Sequence, residues 1–91
     1  MEGKLVLGKV VVADKVAEAM KEDKQLYNFV CTSLGKYMKL DWGETPEEDR
    51  KRNDENLKDG GSIRALYQRG SKEKIFIETD KNGQFTTIDF N

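Results

Sequence analysis

Between positions 26 and 38 the residues Leu26, Phe29, Val30, Ser33, Leu34, Tyr37 and Met38 recur at intervals of three and four. That is the period of an amphipathic helix, and no other feature of the chain limits its fold as much. A chain of 91 residues has room for one hydrophobic core, so the helix with this stripe forms a wall of it. Asp23 stands where its N-cap belongs, able to accept from the exposed amides of the first turn. Gly35 costs up to about 1 kcal/mol relative to alanine if it is interior, which points to close packing there or to fraying near the C-terminal end. Cys31 falls on the apolar side and reads as a small core residue, since no base is at hand to activate it.

Residues 5–12, β-branched and interrupted by Gly8, read as one strand or as two short pieces bent at the glycine. Asp14 follows as a helix cap, ahead of a short stripe of Val16, Ala17 and Met20. After the long helix comes a connector with the only tryptophan, Trp42. The ring is expected between helix and sheet with its indole N–H bonded locally, and Gly43 lets the chain turn sharply beside it. Thr45-Pro46-Glu47-Glu48 reads as a capping box: Thr45 as cap, proline at the first helical position, and Glu48 reaching back to the cap amide. The helix it opens runs to Lys58 and stops at Gly60 or Gly61. Asp49, Asn53 and Leu57 share one stripe of that helix. Asn53 is expected to face inward and bond backbone that would otherwise be unsatisfied.

The last third is sheet. Residues 63–67, 74–79 and 85–90 are short β-type runs. Gly70-Ser71 separates the first two, and the Asn82-Gly83 pair, which tolerates positive φ, separates the last two. The expected fold is α+β in a single domain, 1–91. It has an N-terminal strand, two or three helices, then a C-terminal three-stranded antiparallel meander packed on the helices, with the first strand joining an edge. Leu26, Phe29, Val30, Leu34 and Trp42 would meet the inner face of the sheet.

Composition narrows function by exclusion. Histidine is absent and Cys31 is the only cysteine, which removes Ser-His-Asp and Cys-His catalysis, an intramolecular disulfide and the usual zinc ligands. No enzymatic activity, metal or other cofactor is expected. The longest apolar run, 10–13, falls far short of the roughly 18 residues of a membrane span and of a secretory core. No membrane partner is expected, and the cytoplasm is the default location. Sixteen Lys and Arg against 17 Asp and Glu, a net charge of -1, lack the surplus of a strongly basic nucleic-acid binder.

Asp41-Trp42-Gly43-Glu44, then Glu48-Asp49, Asn53-Asp54, Leu57 and Gly60, resembles the central motif of a family of small uncharacterised bacterial proteins associated with plasmids and mobile elements. The order of Gly8-Lys9-Val10-Val11, Phe29-Val30, Ala65 to Tyr67 and Lys74 to Thr79 around it matches as well, so the resemblance covers nearly the whole chain. It implies a setting of mobile DNA in the bacterial cytoplasm, and it carries over no catalytic residue. A restriction–modification label attached to some of these relatives implies no methyltransferase chemistry here, because the chain has no glycine loop or catalytic tetrad of that kind.

Two functional readings follow. In the first, the chain is a non-enzymatic protein-interaction module of a mobile genetic element, an inhibitor of a host defence system of the anti-CRISPR or anti-restriction type. Its partner would be a bacterial or element-encoded protein such as a nucleic-acid enzyme. Residues 41–59 supply the face, with Glu44, Glu47, Glu48, Asp49 and Arg52 as the contact residues, because charged faces steer association with oppositely charged channels. The alternative is a weak nucleic-acid-binding accessory protein, with Lys51, Arg52, Lys58, Arg64, Arg69, Lys72 and Lys74 as a basic strip and Tyr67 or Phe76 for stacking. Asp41, Glu44, Glu47, Glu48 and Asp49 also suggest a divalent-cation site or a carboxylate pair for acid/base work, but their spacing departs from a calcium loop and the capping box accounts for two of them. An exposed sheet edge leaves a homodimer open.

Overall fold

The computed structural model describes residues 5–91. Among these residues, strand β1 (Lys9–Val12) is followed by helices α1 (Asp14–Glu22), α2 (Lys24–Met38) and α3 (Glu47–Asp59). Strands β2 (Ile63–Arg69), β3 (Glu73–Thr79) and β4 (Phe85–Phe90) complete the chain. The α+β architecture is as expected, and β2, β3 and β4 form the antiparallel meander. The sheet as a whole is mixed rather than antiparallel. β1 lies parallel to β4, giving the order β1-β4-β3-β2. The helices and the meander lie between β1 and β4 in sequence, and that length of chain permits a parallel neighbour where a hairpin would not.

Only the second half of the run 5–12 is strand. Gly8 has φ +62°, and a Cβ there would come within 2.5 Å of the Gly83 and Gln84 carbonyl oxygens. The chain therefore needs a glycine at this close approach and leaves the extended conformation there.

Helix ends divide the expectations. Asp23 caps α2, its carboxylate accepting from Gln25 N at 3.0 Å and Leu26 N at 3.2 Å. Asp14 is not a cap: Ala13 holds that position, and Asp14 lies in the first turn of α1, where its charge still favours the helix dipole. The capping box at α3 is not formed either. Pro46 is the N-cap residue and no side chain bonds the first turn. Thr45 is only 4% exposed, and its hydroxyl is committed to the sheet. Gly60 ends α3 in the left-handed conformation, φ 76°, as its position suggested.

α2 buries a line of Leu26, Val30, Ser33 and Tyr37, with Phe29 and Leu34 half-buried beside it. This line is narrower than the sequence stripe. Met38 is 57% exposed and Cys31 is exposed, against expectation, because each follows a buried residue by one position and so points about 100° away from the sheet. Gly35 sits inside the helix, and a Cβ added there would meet nothing within 4 Å, so neither close packing nor fraying accounts for it.

Alternate strand residues complete the core: Ile63, Ala65 and Tyr67 from β2, Ile75 and Ile77 from β3, Ile88 from β4. Each isoleucine contributes about 1.5–3 kcal/mol by burial. A line of hydroxyls crosses this apolar layer. Tyr37 Oη bonds Thr79 Oγ1 at 2.7 Å, Thr79 bonds Thr86 at 2.8 Å, and Thr86 donates to Leu7 O at 2.7 Å. It joins α2, β3, β4 and the segment before β1, and its buried polar atoms are all paired.

Candidate functional site

Residues 41–59 begin beneath α2. The Trp42 indole meets the Tyr37 ring edge-on, with centroids 5.6 Å apart, and is 5% exposed. Its N–H donates to Asp54 Oδ1 at 3.0 Å, so the tryptophan is core with a local partner. Gly43 follows at φ +60°. A Cβ there would lie 2.5 Å from the Tyr67 ring, so only glycine lets the connector pass this close.

Beyond Gly43 the connector and α3 run along the outer edge of β2 and occupy its hydrogen-bonding groups. Glu44 N donates to Leu66 O at 2.9 Å. Thr45 Oγ1 accepts from Leu66 N at 2.8 Å and donates to Trp42 O. Glu44 Oε1 accepts from Gln68 N at 2.8 Å. Asn53 pairs with Arg64 as a strand residue would, donating from Nδ2 to the carbonyl at 2.9 Å and accepting from the amide at 3.2 Å. Asn56 Nδ2 donates to Ser62 O at 2.8 Å. A sheet edge that would otherwise attract another strand is thereby closed. Asn53 faces inward and bonds backbone, as its stripe position implied.

The five expected contact residues are not equivalent within this arrangement. Glu44 is exposed, but its carboxylate is held on β2. Glu47 and Glu48 stand in solvent on the first turn of α3, where Glu47 lies 3.7 Å from Lys51. Asp49 pairs with Arg52 at 3.1 Å. These two border a polar hollow between α3 and the open face of the sheet, together with Asn53, Asn56, Arg64 and Glu78. Glu44, Glu47 and Glu48 do not line it. Among the described residues no three Asp, Glu or Cys side chains converge on a position that could hold a metal ion, and Asp41 accepts from Gly43 N instead.

Of the basic strip, Arg52 and Arg64 border the polar hollow together, each paired with a carboxylate. Arg69 is pinned between Glu73, at 2.5 Å, and Asp23, at 3.2 Å. Donation to the Glu73 carboxylate holds its guanidinium charged above the usual arginine range. Backbone donation from Leu26, aided by Arg69, holds Asp23 below the ordinary carboxylate range. Tyr67 is buried on the helix side, its hydroxyl donating to Asp41 O at 2.8 Å. Phe76 does lie on the open face, but Arg64 covers its ring at 4.0 Å while pairing with Glu78 at 3.3 Å. The roles of Glu44 and Thr45 on β2 had no local signal, because their partners lie more than twenty positions along the chain.

No helix among the described residues is long and apolar enough to cross a membrane. Comparison with protein-family models, with curated proteins and with solved structures returned no match.

Proposed function

We propose that this chain is a non-enzymatic interaction module of a mobile genetic element. It seats the exposed side of α3, led by Glu47 and Glu48, on a basic surface of a nucleic-acid-handling protein and so inhibits a host defence system. The observation that carries this reading is how α3 is held. Apart from half-buried Leu57, the bond Asp54 accepts from Trp42 and those Asn53 and Asn56 donate to backbone fix a helix whose only buried residue is Asn53. Its charged outer side is thereby presented in one orientation. A preorganised surface loses less freedom on binding, and an acidic leading turn steers encounter with a basic channel. The resemblance of residues 41–60 to the central motif of mobile-element proteins supports the setting. The nucleic-acid reading has less to stand on, since one of its two stacking rings is buried and the other is covered by Arg64.

Expression in bacteria with an active restriction or CRISPR system should raise the plating of a sensitive phage, and the Glu47→Lys, Glu48→Lys double variant should lose that effect. Association of the double variant with the captured target should slow by roughly tenfold or more, with the loss of rate greatest at low salt. Unchanged plating in every system tested, or full activity of the double variant, would refute the proposal.

A further inference from the structure

The two edges of the sheet are treated oppositely. Among the described residues β2 is closed by the connector and α3, whereas β1 is open. Lys9 N donates to Gln84 O and Ala13 N to Ile88 O, so the odd-numbered residues of β1 face β4. By the alternation of a strand, the N–H and C=O groups of Val10 and Val12 point away from the sheet. Among the described residues nothing bonds them. Val10 and Val11 are each 39% exposed, and an apolar hollow lined by Val12, Ala17, Met20, Lys21 and Tyr27 adjoins the same edge. Short as it is, an open strand of three consecutive valines is a template for pairing.

We infer that β1 pairs antiparallel with β1 of a second copy about a two-fold axis at Val11, joining two four-stranded sheets into one. The register follows from the residues. With Val11 on the axis, Val10 of one copy lies opposite Val12 of the other, and both have their free groups directed at the seam. Two such pairs give four hydrogen bonds. Lys9 then stands opposite Ala13 at each end, so no like charges face each other across the seam. An axis at Val12 would set Val10 against Asp14, where the strand has ended and α1 begins. An axis at Val10 would set Val12 against Gly8, whose φ of +62° breaks the extended run.

Side chains complement each other under the same operation. Val10 is in register with Thr86 and Val12 with Ile88, both buried beneath the helices, so Val10 lies on the helix side of the sheet. Opposite Val12 of the second copy, it is brought to the hollow that Val12 borders with Ala17, Met20 and Tyr27. One edge thus carries both the projecting valine and the recess for it, as a symmetric interface between identical chains requires. This inference is independent of the role of α3, which lies at the opposite edge.

Light scattering of the purified chain should show a mass that doubles as concentration rises. Val10→Pro removes an N–H that the monomer does not use, and Val11→Lys sets two like charges across the axis. Both should stay monomeric, with helix and sheet content unchanged by circular dichroism. In a Cys31→Ser background, Val11→Cys should oxidise to a covalent dimer, because residues facing each other in a non-hydrogen-bonded pair have Cα atoms about 4.5 Å apart, within disulfide range. A wild-type chain that remains monomeric at roughly millimolar concentration would overturn the inference. So would a dimer that survives both Val10→Pro and Val11→Lys, or one that Val11→Cys fails to trap.

Discussion

Asn53 does with one side chain what a neighbouring strand does with a peptide unit: it supplies a donor and an acceptor to Arg64. Truncation to Asn53→Ala would leave an amide and a carbonyl without partners where the helix still shields them. We expect a loss of about 2–3 kcal/mol, measured by urea denaturation. Asn53→Leu should cost a similar amount despite its greater apolar volume. Asn53→Asp should fall between wild type and alanine, since it keeps the acceptor for Arg64 N but turns an oxygen toward Arg64 O. Wild-type stability in the leucine variant would show that water serves Arg64 equally well. Two glycines offer a complementary contrast. Gly60 and Gly43 both have positive φ, but a Cβ at Gly60 meets open space whereas one at Gly43 strikes the Tyr67 ring. Gly60→Ala should therefore cost about 1 kcal/mol, the conformational penalty alone. Gly43→Ala should cost clearly more, because overpacking adds to the same penalty.

At the scale of elements, what the sequence made legible was local. The period of residues 26–38 marks α2, Asp23 caps it through amides two and three residues away, and Asn82-Gly83 turns β3 into β4 with both φ positive. The two caps misassigned, Asp14 and Thr45, show where such reading stops. Thr45 has the residue type and spacing of a cap, yet its hydroxyl accepts from Leu66 N on β2, and nothing near it in sequence announces a partner so far along the chain. The parallel placement of β1 was equally hidden, because a four-residue strand carries no mark of its neighbour's direction. The candidate site divides in the same way. Trp42 and Asn53 could be placed by the bland expectation that buried polar atoms find partners. Glu44 reads from the sequence as part of a partner-binding face, and the sequence gives no sign that its carboxylate also accepts from Gln68 N, a contact that exists only after β2 is in position.

Across the whole molecule, the hydroxyl line from Tyr37 to Leu7 ties a helix, two strands and the segment before β1 through the apolar layer, and it makes stability depend on alkaline pH. Burial pushes the Tyr37 phenol from 10.0 up to about 12, and the negative charge of Glu78 adds to the shift. Burial raises Tyr67 as well. Below pH 10 both states of the chain hold the Tyr37 proton, and the stabilisation is fully present. Above it the unfolded chain releases a proton that the folded chain retains, so stability falls as pH rises, by on the order of 1 kcal/mol per pH unit from this group until about pH 12. Tyr37→Phe separates this effect from the general titration of lysines. At pH 8 the variant should be less stable by about 1 kcal/mol, having lost the bond to Thr79, which still has Thr86. Its stability should then decline less steeply than that of wild type, so that the gap narrows between pH 10 and 11.5 in melting curves taken at each pH. The difference in absorbance near 295 nm between wild type and Tyr37→Phe should show little tyrosinate from Tyr37 below about pH 12 while the fold persists. A gap that stays constant across that range would mean that the phenol ionises in place and that the layer admits water around it.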